Sequence, residues 1–97
     1  MANFTLRPAA IRDLEIIWKY TAETWDDEQA DNYIHDLNDG FLLLAQMPFT
    51  GKDCSYIREG YRKYPINRHI IFYLVSSNDI EIIRILHERM DVSLNIE

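Results

Sequence analysis

The chain has one cysteine, Cys54, so no internal disulfide framework holds it together. A protein that does without disulfides reads most naturally as cytosolic. There is no run of about 18 apolar residues, so no membrane-spanning helix is expected. The opening Met1-Ala2-Asn3-Phe4-Thr5 lacks the charged region and long apolar stretch of a secretory signal, which makes its Asn-Phe-Thr sequon a chance match. Basic residues are also scarce: 10 Lys and Arg stand against 16 Asp and Glu, a net charge of −6. A general nucleic-acid binder is disfavoured, because phosphate affinity needs clustered cations. His35, His69 and His87 are scattered, and neither HExxH nor CxxC spacing occurs, so no metal site is expected. Gly51-Lys52 lacks the upstream glycine and following Ser or Thr of a phosphate loop. No cofactor is implied.

What is present fits one α+β domain of 97 residues, a helical hairpin packed on a small antiparallel sheet. Phe4-Thr5-Leu6 reads as a short strand. Pro8 suits the first turn of a helix that runs to about Thr24, although Arg7 is a weak N-cap. Ile11, Leu14, Ile17/Trp18, Thr21/Ala22 and Trp25 carry the three-four spacing, with Arg12, Asp13, Glu15 and Lys19 on the other face. Asp26 with Gln29 fits a capping box for a second helix. That helix places Ala30, Tyr33/Ile34, Leu37, Phe41 and Leu44 on one face and stops at Met47-Pro48. Gly40, inside it, is read as a close approach by the first helix. Residues 48–55 form a loop, Tyr61 to Tyr64 a strand, and Pro65-Ile66-Asn67 a turn. His69 to Val75 is the clearest strand, rich in β-branched and aromatic residues. Ser76-Ser77-Asn78-Asp79 closes a hairpin. Ile80 to Leu86 is apolar at nearly every position, as a strand covered on both faces would be.

Three features keep alternative readings. The acids Asp26, Asp27, Glu28, Asp31, Asp36 and Asp39 read chiefly as a solvated helix face with capping, and otherwise as a surface for a partner's Lys and Arg. Trp18 and Trp25 share a helix face with Tyr20 and Tyr33 near, and two Trp with six Tyr exceed what one small core needs. Core packing and interface anchoring both account for them. Arg58, Arg62, Lys63, Arg68, Arg84 and Arg89 cluster in the second half, where they either bind anions or blunt strand edges.

The helical hairpin opens with Leu6-Arg7-Pro8-Ala9-Ala10 and Asp13-Leu14. Ile57-Arg58-Glu59-Gly60-Tyr61-Arg62-Lys63-Tyr64, Ile70-Ile71-Phe72-Tyr73 and Ile82-Ile83-Arg84-Ile85-Leu86-His87-Glu88-Arg89-Met90-Asp91 follow it. Over nearly its whole length this order resembles the ParE branch of the RelE/ParE toxins. The resemblance implies a type II toxin that inhibits DNA gyrase and is neutralised by an antitoxin whose C-terminal part wraps around it. RelE-like relatives instead cut mRNA on the ribosome. The net acidity and the tail Val92-Ser93-Leu94-Asn95-Ile96-Glu97, which has no terminal Tyr or His, favour the gyrase branch with no catalytic residue. On this reading Leu14, Trp18, Trp25, Tyr33 and Leu37 form the antitoxin groove, while Arg58, Arg62 and Arg84 pair its carboxylates. His87, Arg89, Met90 and Asp91 contact the target, or Arg89 and Asp91 only tie down the end of the sheet.

Overall fold

A computed structural model describes residues 3–77 and 79–96. Asn78, assigned to the hairpin loop, and Glu97, at the end of the tail, lie outside the described residues, as do Met1 and Ala2. The order is β1 (Phe4–Leu6), α1 (Pro8–Thr24), α2 (Asp27–Gln46), β2 (Lys52–Asp53), β3 (Arg62–Ile66), β4 (His69–Ser76), β5 (Asp79–His87) and α3 (Val92–Asn95). The five strands lie in the order β1-β5-β4-β3-β2. The α+β class and the hairpin-on-sheet arrangement are as expected, with one correction. The sheet is mixed, because β1 pairs parallel to β5 through Phe4–Ile80, Thr5–Glu81 and Leu6–Ile82.

The helices begin where local chemistry lets them. Asp26 caps α2 by accepting a hydrogen bond from Gln29 N–H at 2.8 Å, and Asp27 and Glu28 meet the positive end of its dipole. Arg7 caps nothing with its side chain. Its backbone N–H extends the β1–β5 ladder to Ile82 C=O, and its guanidinium pairs with Glu81.

Between them the two faces of the sheet carry two cores. On the helix side Ala10, Ile17, Leu37, Phe41 and Leu44 pack against Ile71, Tyr73, Ile80, Ile82 and Ile85. On the rear, Phe72, Ile83 and Leu86 pack with Cys54 and Tyr61 under a cover that includes Ile57, Val92 and Ile96. Covering β5 on both faces accounts for its continuous apolar run. A bulge lies between Phe72 and Tyr73, where Tyr73 pairs with Ile82 but Phe72 with Arg84. The extra residue, Ile83, resets the alternation, so Ile82 and Ile85 share the front face.

Several local expectations need correction. Pro65 and Ile66 belong to β3, and the turn is Asn67-Arg68, with Asn67 in the left-handed region at φ 52° that asparagine tolerates. β2 pairs only with Arg62 and Lys63, so β3 is an edge strand at Pro65, where proline is permitted. Gly40 is closed in by the sheet rather than by α1. A Cβ there would stand 3.1 Å from Ile66 Cδ1 and 3.3 Å from Ile71 Cδ1.

The largest correction concerns Asp13, placed on the polar face of α1 but buried in the structure. Its Oδ2 accepts from Arg84 Nε at 2.8 Å and from the backbone N–H of Ile85 at 2.9 Å, and its Oδ1 accepts from Arg84 Nη2 at 2.9 Å. Arg84 Nη1 also donates to the carbonyl of Asn95, which ties α3 to the same knot. Removing one member of a buried ion pair leaves the other charge stranded. Asp13→Ala is expected to lower stability by about 3–5 kcal/mol in urea unfolding. A loss below about 1 kcal/mol, the range of an exposed pair, would refute that role.

Candidate functional site

An open groove of about 760 Å³ runs between the helical hairpin and the end of β5. One wall is α1 and its end, with Asp13, Ile16, Ile17, Tyr20, Thr21 and Trp25. Tyr33 and Asp36 of α2 join the β3–β4 turn (Asn67, Arg68) and His69 to form the far side, while Arg84, Ile85, His87 and Met90 complete it. Three large side chains on the α1 wall stand in solvent, with Trp25 74% exposed, Tyr20 68% and Ile16 66%. Contiguous exposed apolar surface of this kind marks binding sites.

The floor of the groove holds a polar line that spacing did not reveal. The hairpin register sets His69 of β4 opposite His87 of β5, their rings edge to face with centroids 5.2 Å apart. Tyr33 Oη lies 2.6 Å from His69 Nδ1 and accepts from Arg68 N–H at 3.2 Å. The Tyr33 hydroxyl has one hydrogen and two lone pairs, so the tautomer of His69 sets which of the two donates across this contact. His87 Nδ1 accepts from Arg89 N–H at 3.1 Å, which leaves Nε2 of that ring facing outward as the donor. Burial, and then the neighbouring His87, push the His69 pKa down to about 4. No spacing announces this pair: counting out from Ser76 opposite Asp79 would set His69 opposite Leu86, and only the bulge at Ile83 brings it to His87.

Five of the expected contact residues line this groove: Trp25, Tyr33, Arg84, His87 and Met90. Others lie elsewhere. Leu37 is fully buried and Leu14 packs against the same core, so Leu37 offers a partner no surface. Trp18 does not share the groove with Trp25. Its indole N–H donates to Asp31 at 2.9 Å and links the two helices. The Arg62 guanidinium is engaged with the carbonyls of Gly51 and Phe49, and Arg84 is held by Asp13 and Asn95. Both arginines therefore already hold contacts within the fold. Arg58 lies on the rear of the sheet. Arg89 is exposed, and Asp91 caps α3 by accepting from Ser93 N–H at 3.0 Å. The exposed Ile16 and Tyr20, and His69, line the groove although none was expected among the partner contacts. Among the described residues no cluster of three His, Cys, Asp or Glu is placed to hold a metal ion, and no helix is long and apolar enough to cross a membrane.

The groove can accept an apolar strip and offer it imidazole nitrogens, which defines a small α+β binding domain. The family described as the ParE toxin of the type II toxin-antitoxin system parDE matches residues 4–92. The chain is 38% identical to Toxin ParE1 of Mycobacterium tuberculosis over 96 residues, 98% of each chain. It is 33% identical to Toxin ParE1 of Caulobacter vibrioides over 96 residues, 99% of each. In fold it matches a chain of the chromosomal ParDE TA system from P. aeruginosa with a TM-score of 0.78 at 20% identity, covering 90% of this chain and 96% of that one. The chain belongs to the ParE toxin family and is the toxin component of a type II toxin–antitoxin system.

The depressed His69 pKa has a signed consequence. The unfolded imidazole takes up a proton below pH 6.5, whereas the folded one resists until about 4. Stability contributed by this residue therefore falls as pH drops through that window and is flat above it. Between pH 7 and 4.5 the wild type is expected to lose about 2 kcal/mol more than His69→Gln in urea unfolding. Equal losses would place the protonation elsewhere.

Proposed function

We propose that this toxin is held inactive by a cognate antitoxin whose flexible segment folds into the groove, and that once free it inhibits DNA gyrase in the cytoplasm without catalysis of its own. The observation that carries the first part is the set of exposed apolar anchors, Ile16, Tyr20 and Trp25, on one wall of one groove. A segment that folds on binding gains affinity from such anchors. Tyr33, His87 and Met90 supply the rest of the contact.

The non-catalytic reading is supported by the charges around the imidazole pair. Cleaving a phosphodiester needs free cations near the scissile phosphate. Here Arg84 is neutralised by Asp13, and Asp36 adds a second carboxylate to the groove wall. A phosphate approaching His69 and His87 would meet Asp36 and the paired Asp13, and an Arg68 guanidinium that already faces Glu88 at 3.9 Å. Arg89, exposed beside them, and Asp91 remain candidates for the target contact together with His87 and Met90.

Two experiments test this. Trp25→Ala is expected to weaken antitoxin binding at least about tenfold, as truncating an interface anchor does. Because Trp25 is so exposed, thermal stability should stay within about 0.5 kcal/mol of the wild type. Binding unchanged by Trp25→Ala would move the antitoxin off the groove. In a supercoiling assay the purified toxin should stop gyrase while leaving mRNA whole in a translation extract; intact gyrase with cleaved mRNA would reverse the assignment.

A further inference from the structure

A second concavity, of about 440 Å³, opens on the opposite face of the sheet. Lys63 pairs directly across from Phe72, whose ring belongs to the rear core, so its side chain leaves the sheet on that face. The cleft runs between the 54–61 loop and α3. Its floor is apolar, with Ile57, Ile70, Phe72, Val92 and Ile96. Its rim carries Tyr56, 76% exposed, together with Arg58 and Lys63.

Two cations stand together on the rim of this cleft. Elsewhere Arg7 pairs with Glu81, Arg68 with Glu88 and Arg84 with Asp13. Among the described residues neither Arg58 nor Lys63 has a carboxylate partner, although the chain has six more acids than bases. Lys63 Nζ donates to Tyr56 Oη at 3.1 Å, which leaves the phenol hydrogen free to donate outward. The one acid in the lining, Asp91, already accepts from Ser93 N–H at 3.0 Å and from Ser93 Oγ at 2.6 Å. Three donors thus converge over an apolar floor, with a net charge of +1 from Arg58, Lys63 and Asp91.

We propose that this cleft binds a side-chain carboxylate of a partner protein, presented beside an apolar residue that packs on Phe72 and Ile70. A nucleic-acid strand is the poorer occupant. Each added phosphate would be repelled by the net charge of −6, whereas a single carboxylate uses the local cations at little long-range cost. The site lies across the sheet from the groove and stands independently of the antitoxin reading.

Amide chemical-shift mapping on the full chain tests it, with acetyl-Leu-Glu-Leu-amide as probe. The Glu peptide should shift residues 56–58, 63 and 91–93 and leave Trp25 and His87 unmoved. Its affinity should fall roughly fivefold when the peptide Glu becomes Gln, and by a similar factor in Arg58→Gln, an exposed and unpartnered position whose loss spares the fold. Lys63→Gln provides a second arm. Equal shifts with the Gln peptide would reduce the cleft to an apolar patch and overturn the proposal. So would an absence of shifts at millimolar peptide, or tighter binding of single-stranded oligothymidine at the same residues.

Discussion

β1 stops pairing with β5 at Ile82, and past that point a carboxylate does what a strand would have done. Asp13 accepts the N–H of Ile85, and in doing so it clamps α1 to the edge of the sheet. A lone carboxylate buried there would be costly, and the two-pronged contact from Arg84 makes it tolerable. Arg84 in turn reaches the carbonyl of Asn95 and holds the C-terminal turn against the molecule. One ion pair, 9% and 18% exposed, thereby joins the first helix, β5 and the last helix.

That knot also divides the functional surfaces. On its front side it forms part of the groove wall while keeping the Arg84 charge from a ligand. The groove is left apolar along α1, with the imidazoles of His69 and His87 on its floor, which suits a folded peptide better than a phosphate. Through Asn95 it fixes α3, one wall of the rear cleft. His87-Glu88-Arg89-Met90-Asp91 passes from one concavity to the other: His87 and Met90 face the groove, and Asp91 borders the cleft.

The correspondence between sequence and structure follows the range of the interactions involved. The α1 and α2 boundaries, the Asp26 cap and the doubly covered β5 rest on local periodicity and hydrogen bonding, and all were legible. Asp13 was misread because periodicity reports only which side of a helix a residue occupies. Its partner lies 71 positions away, and that partner turns a polar position into a buried one. Leu37 and Trp25 show the same limit in reverse. Each fits the amphipathic pattern of its own helix, yet Leu37 is sealed in the core and Trp25 stands in solvent at the end of α1.

Taken by itself, the sequence determined the helical hairpin, the apolar strands, the acidic balance and the family, since each is written in neighbouring residues. Tertiary structure alone decided which strand runs parallel, which arginines are occupied, and that Tyr33, His69 and His87 meet. Those outcomes depend on strand order and on a register shifted by the bulge at Ile83. Pairings across a sheet are selected by packing of the whole molecule, and no local pattern records them.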